Sequence, residues 1–357
     1  MIGISLISIF IGLVKCTKNK FVALVTVLML THTLYFFWRQ IYYANTPIRL
    51  LFPALMIGLS PFLLPRQKKL SVQIAGCFIC ALGTLWNTET GLILSVAWLL
   101  TTTLDSSAGF RLKTLCKKLL LGATQYLACV TVVFGSYALW AKQASGLWPY
   151  FSEILRFQKM FYESGMFAIS TPAVHPWHFL ILIYFFGLAY ALRSRDKALT
   201  TNDSWILFLS LFGLGWFSYY QGRSTSGNLM AVSYPGIIIL GFFLNKLATH
   251  IKQNHRALAP KLLLLTSFFW LSVGIVASAF ASSSALVRYA RSRSQIHNAD
   301  LLADIEFVKS QDESTIDWII LSDNSGILYQ AAQSPCNAKV PGATEIISRT
   351  DANTLRD

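Results

Sequence analysis

The sequence predicts an all-α polytopic membrane protein of about ten transmembrane helices with a small C-terminal α/β extracytoplasmic domain. Three observations predict it. Only 13% of the residues are charged and the mean hydropathy is +0.51, against about 25% charged residues in soluble domains. The apolar residues gather into runs at about 2–14, 21–38, 48–64, 71–86, 91–104, 119–140, 177–192, 204–220, 229–245 and 262–280. The charges then change character near residue 288: 10 of the 16 acids lie beyond it with 7 of the 30 basic residues, leaving the first 287 residues at +17 and the tail at −3. Basicity confined to the loops of a hydrophobic chain is a topology signal, and no nucleic-acid surface is expected from it.

Several of the ten runs are short against the 17 to 25 residues of a usual span. The first is the shortest, starts at Met1 and has no charged n-region or cleavage site of a signal peptide. It raises the expectation that an upstream part of a longer protein precedes this chain. Alternate loops carry 17 and six Lys or Arg residues. The rich set comprises the loops around Lys15–Lys20, Arg66–Lys69, Arg111–Lys118, Arg193–Lys197 and Lys246–Lys261. By the positive-inside rule this set is cytoplasmic. Asp105, Asp196 and Asp203 go with it. The N-terminus, residues 87–90, the long loop 141–176, residues 218–228 and the tail then share the outer face.

On that face Trp86 to Gly91 joins the fourth and fifth runs, and Glu89 is the only acid before Leu104. The short fifth run lets Glu89 sit recessed at the bilayer edge, where a carboxylate is costly unless it is paired or faces water. The alternative is an exposed hairpin tip turned by Gly91. The loop 141–176 holds a segment of helical periodicity, with Phe151, Ile154, Leu155 and Tyr162 on one face and Glu153, Arg156, Lys159 and Glu163 on the other. It predicts an interfacial helix near 148–164. Glu163 and Lys159 serve equally as an i, i+4 surface pair. His175 and His178 follow, a weak pattern for metal ligation.

Residues Ser218 to Asn228 read SYYQGRSTSGN. Arg223 offers a planar fork for phosphate, and Tyr220, Ser224 and Asn228 offer hydroxyl and amide groups. Gly222 and Gly227 admit close backbone approach. The same residues also make an ordinary interfacial turn with a snorkelling Arg. The six cysteines are scattered through apolar runs and form neither a disulfide framework nor a zinc site. No cofactor or metal is indicated, although a divalent metal is compatible with the chemistry. In the tail, Leu301 to Val308 reads as an amphipathic helix and Ile316 to Leu321 as a buried strand; the turn Ser322–Gly326 then opens a second helix, an α/β unit in domain 288–357.

LWNTETG at 85–91, SYYQGRSTSGN at 218–228 and IILSDNSGILY at 319–329 followed by Lys339-Val340-Pro341-Gly342 together resemble the C-terminal two-thirds of bacterial polytopic glycosyltransferases of the C type. These are membrane enzymes similar to the lipid A aminoarabinose transferase and the protein O-mannosyltransferases. The resemblance implies a polyprenyl-phosphate-linked sugar as donor, an extracytoplasmic acceptor and residence among the lipids of the bacterial inner membrane. The family carries its principal acidic motif in the first outer loop, whereas this chain has no acid before Glu89. The catalytic candidates Glu89, Glu163 and Glu153 therefore rest on position and chemistry alone. Two other classes stay open: a transporter or flippase of lipid-linked intermediates, which predicts ionisable groups buried mid-span, and a non-catalytic scaffold or remnant. The sequence names no protein partner.

Overall fold

The computed structural model describes residues 2–31, 33, 47–105, 112–146, 148–149, 151, 170–193, 199–222, 224, 226–253 and 299–310. Helices account for nearly all of them, and no strand occurs among the described residues. In chain order they are α1 (Ile2–Thr17), α2 (Lys20–Thr31), α3 (Pro47–Leu63, continued by a 3-10 turn Leu64–Arg66), α4 (Leu70–Trp86) and α5 (Thr88–Asp105). Then follow α6 (Leu112–Ser145), α7 (Trp177–Leu192), α8 (Thr201–Gly222), α9 (Ser226–Gln253) and α10 (Ala299–Ser310). The chain divides into two compact units, residues 1–149 with 169–282 and residues 150–168 with 283–357. α1 to α9 belong to the first, and α10 is what is described of the second beyond Phe151.

Among the described residues, three helical stretches are long and apolar enough to cross a membrane: Arg49–Arg66, Leu112–Ala144 and Gly227–Ile251. α1, α2, α4 and α7 are apolar but shorter. The expected run 262–280, the interfacial helix near 148–164, apart from residues 148–149 and 151, and the strand and second helix of the tail lie outside the described residues. Helix α10 covers the expected amphipathic segment 301–308.

The outward faces are themselves apolar. Ile4, Ile7 and Ile11 of α1, and Phe179, Leu182, Phe185 and Phe186 of α7, recur at three- and four-residue spacing and are exposed. In water such faces would be large hydrophobic patches; against lipid they are the expected surface. Helix α6, 34 residues long, is mostly outward-facing too. At about 1.5 Å per residue it exceeds the roughly 30 Å hydrocarbon core.

Helix α8 is the centre. Trp205, Ile206, Leu207, Phe208, Leu209, Phe212, Trp216 and Tyr220 are all closed to solvent, the all-round burial of a core helix. Phe208, Phe212 and Trp216 stack along one side at i, i+4. Trp98 of α5 and Tyr234 of α9 meet that side edge-on, and the Trp205 indole donates to the Ile57 carbonyl of α3 at 3.0 Å. Helices α1 and α3 cross where both are thin. A Cβ on Gly58 would lie 2.3 Å from the Ser8 carbonyl oxygen, and one on Gly12 2.7 Å from that of Ile57. Small residues at a membrane helix crossing allow this approach.

The described residues that flank the Lys- and Arg-rich loops gather at one end of this unit. Asn19 caps α2 through the amides of Phe21 and Val22 and donates to Asn245 of α9, which in turn donates to the Thr17 carbonyl at 2.9 Å. Thr200 and Asp203 cap α8 reciprocally, and Arg193 joins the Asp203 carboxylate at 2.9 Å. Asp105, one residue past the apolar run of α5, accepts the Gln67 amide. Burial pushes its carboxyl up to about 6, against the opposing bonds from Ser204 and Gln67. The folded chain thus holds this proton more tightly than the unfolded one, whose carboxyl titrates near pH 4. Stability from this group is greatest below about pH 4 and falls as pH rises to about 6. In Asp105→Asn, thermal unfolding followed from pH 4 to 6.5 is expected to lose this part of the slope; an unchanged slope would assign it to other groups.

Candidate functional site

The opposite end holds those of the polar residues expected on the outer face that are described, and its geometry starts with the capping of α5. The Asn87 Oδ1 accepts the Thr90 amide at 3.1 Å, and the Gly91 amide bonds the Asn87 carbonyl at 2.9 Å. Asn87 is therefore a helix N-cap, and Glu89 lies in the first helical turn, where a negative charge is favoured. This replaces the exposed hairpin tip: the Glu89 side chain is 12% exposed. Gly91 makes no turn. It is helical and sits where α5 touches α4, so that a Cβ there would lie 2.3 Å from the Thr84 amide nitrogen.

Glu89 is paired. Arg49, in the first turn of α3, places Nη1 at 3.1 Å from Glu89 Oε2, with its side chain 19% exposed. Its guanidinium lies 4.2 Å from the centre of the Tyr219 ring, a cation–π contact that partly replaces lost hydration. Arg49 Nε is buried and has no hydrogen-bond partner among the described residues. Sequence reasoning missed Arg49 as a site residue, although the signal was present. A recessed carboxylate needs a cation, and Arg49 is one of six basic residues assigned to that side.

Tyr219 and Tyr220 end α8 on different sides. Tyr220 is fully buried, and its hydroxyl lies 3.3 Å from His175 Nδ1. The Ser224 hydroxyl donates to the Tyr220 carbonyl at 3.2 Å and meets the Thr171 hydroxyl at 3.3 Å. Asn228, in the first turn of α9, is buried and holds contacts of its own. The segment 171–178 is fastened by the Trp177 indole on the Pro172 carbonyl, by Trp177 stacking on His178 and by its tilted contact with Phe217. The expected loop 218–228 is thus much shorter: α8 runs through Gly222 and α9 begins at Ser226. Tyr219 and Tyr220 pack on both sides of α8, which keeps the helix going past the polar sequence.

Tyr220 and Ser224 are directly linked, and Glu89 joins the same helix end through Arg49 and Tyr219. Arg223, Glu153 and Glu163 lie outside the described residues. No group of three or more His, Cys, Asp or Glu able to hold a metal occurs among the described residues. His175 and His178 instead use Nδ1 toward Tyr220 and toward the His175 carbonyl. Beside this end, a groove of about 230 Å³ between α7 and α9 begins at Pro176 and Leu229 and continues past Phe179, Ile183, Met230 and Leu240. Its walls are almost wholly apolar. Comparison of the chain with family models, with curated proteins and with solved structures finds no match.

Proposed function

We propose that the chain is a membrane glycosyltransferase, moving a sugar from a polyprenyl-phosphate donor to an extracytoplasmic acceptor in envelope glycan or glycoconjugate assembly in the bacterial inner membrane. The observation that carries the reading is the recessed Arg49–Glu89 pair, in which the guanidinium spends one donor on the carboxylate and keeps a buried Nε–H without an acceptor among the described residues. A phosphate oxygen is the group such a donor fits. The apolar groove beside Pro176 suits an isoprenoid chain.

In this reading Arg49, with Arg223 and the Ser224 hydroxyl, neutralises the lipid phosphate as it leaves with the electron pair of the sugar–oxygen bond. Glu89 takes the proton of the acceptor hydroxyl that attacks the anomeric carbon, and Glu163 is the other candidate for this step. Tyr220, whose carbonyl accepts the Ser224 hydroxyl, and Asn228 are the further candidates for holding the phosphate end. The extracytoplasmic placement rests on the positive-inside count.

Thermal unfolding of the purified chain with polyprenyl phosphates and polyprenyl-phosphate sugars tests the reading. Stabilisation should grow with ligand concentration, reaching about 2.7 kcal/mol at a hundred times Kd. It should shrink in Arg49→Lys, which keeps the charge but loses the fork, and in Arg223→Ala. No stabilisation of the folded wild type by any lipid phosphate would overturn the reading.

A further inference from the structure

The Lys-rich end holds a second cavity, of about 320 Å³, bounded by the 3-10 turn after α3 and by α4, α5 and α6. Its lining is split by chemistry. Trp98, Leu99, Leu121 and Cys77 form an apolar part; Lys68, Lys118, Gln67, Gln73, Gln125, Thr102 and Thr103 form a polar part. The Gln125 amide donates to Gln73 at 3.2 Å, tying α6 to α4 across the cavity.

Gln67 gives the independent indication of a ligand. It is 7% exposed, and its amide nitrogen is committed to Asp105. The amide oxygen is thereby left over, and it is buried without a hydrogen-bond partner among the described residues. Such an acceptor is costly unless something else supplies a donor. Lys68 acts on the Asp105 carboxylate and Lys118 has contacts of its own, yet two lysines beside one carboxylate still suit an anion; the orphan oxygen suits a hydroxyl, and the apolar wall, which reaches the outward face of α6 at Leu121, suits hydrocarbon.

We propose that this cavity binds the headgroup of an anionic glycerophospholipid bearing a free hydroxyl, with its phosphodiester on Lys68 and Lys118, its headgroup hydroxyl toward Gln67 and an acyl chain along Trp98 and Leu121. Two cations also select against zwitterionic lipids, whose ammonium group they repel. The site is distinct from the proposed transfer site and its test is independent of turnover.

The test is thermal unfolding of the full chain in neutral detergent during titration with phosphatidylglycerol, phosphatidylmethanol, phosphatidylcholine and free sn-glycerol 3-phosphate. Phosphatidylglycerol is expected to raise Tm with saturation, and phosphatidylcholine to leave it unchanged. Phosphatidylmethanol, with the same charge and no headgroup hydroxyl, should bind several-fold more weakly. The Lys68→Ala/Lys118→Ala double variant should weaken phosphatidylglycerol about thirty-fold, at roughly one kcal/mol per lysine. Equal stabilisation by phosphatidylcholine, or wild-type binding by the double variant, overturns the site. Equal stabilisation by free glycerol phosphate overturns the lipid, and parity of phosphatidylmethanol overturns the role of Gln67.

Discussion

Arg49→Ala is expected to destabilise the protein by about 3 to 5 kcal/mol, more than the double replacement Arg49→Met/Glu89→Leu. Removing one partner of a nearly buried pair leaves the other charge without its cation in a low-dielectric site, whereas removing both substitutes apolar atoms for two desolvated ions. Glu89 is 12% exposed and Arg49 19%, so neither can swing freely into water. Glu89→Gln should be much milder in stability, because it removes the charge and keeps the shape. Under the proposed mechanism it nevertheless lowers transfer by at least about a hundredfold, the usual scale of a general base. Thermal unfolding of wild type, Arg49→Met, Glu89→Leu and the Arg49→Met/Glu89→Leu double variant gives the coupling between the two residues. A double variant as unstable as Arg49→Ala would mean that Arg49 supports the fold through Tyr219 and not through Glu89. Transfer unchanged in Glu89→Gln would pass the base role to Glu163 or another acid.

The sequence made the helices legible where apolar runs ended in loop charges: α1, α3, α4 and α7 match their runs within a few residues. It also showed that Glu89 could be recessed, because the fifth run was too short to lift it clear of the bilayer edge. The identity of its partner was not legible. Arg49 and Glu89 are forty residues apart, and only the packing of α3, α4 and α5 brings their first turns together. At 218–228 the composition suggested a short polar loop after an aromatic end, yet burial of Tyr220 and the contact of Tyr219 with Arg49 carry the helix on to Gly222. The cap of α5 was readable and went unread: Asn87 followed by Glu89 is a start signal for a helix, and it places Glu89 inside the turn. Gln67 carried no signal, since a buried amide with one satisfied end is a property of the assembled cluster alone.

Gly91→Leu is expected to abolish the native packing of α4 on α5. The obstacle is backbone: a Cβ at residue 91 would lie 2.3 Å from the Thr84 nitrogen and 2.4 Å from the Gly83 carbonyl carbon. Neither can rotate away as a side chain would, so the two helices must separate. Overpacking usually costs about 1 to 3 kcal/mol, and contact with main chain that cannot rotate aside puts this case above that range. Even Gly91→Ala should lower Tm and, because Glu89 lies half a turn away on the same helix, should weaken its meeting with Arg49. Gly135 of α6 supplies the contrast. Nothing lies within 4 Å of a Cβ placed there, so Gly135→Ala should be neutral or stabilising by up to about 1 kcal/mol through helix propensity. The pair is compared by the folded fraction on size exclusion in detergent and by Tm. If both alanine variants behaved alike, the close α4–α5 crossing, and with it the recessed position of Glu89, would be wrong.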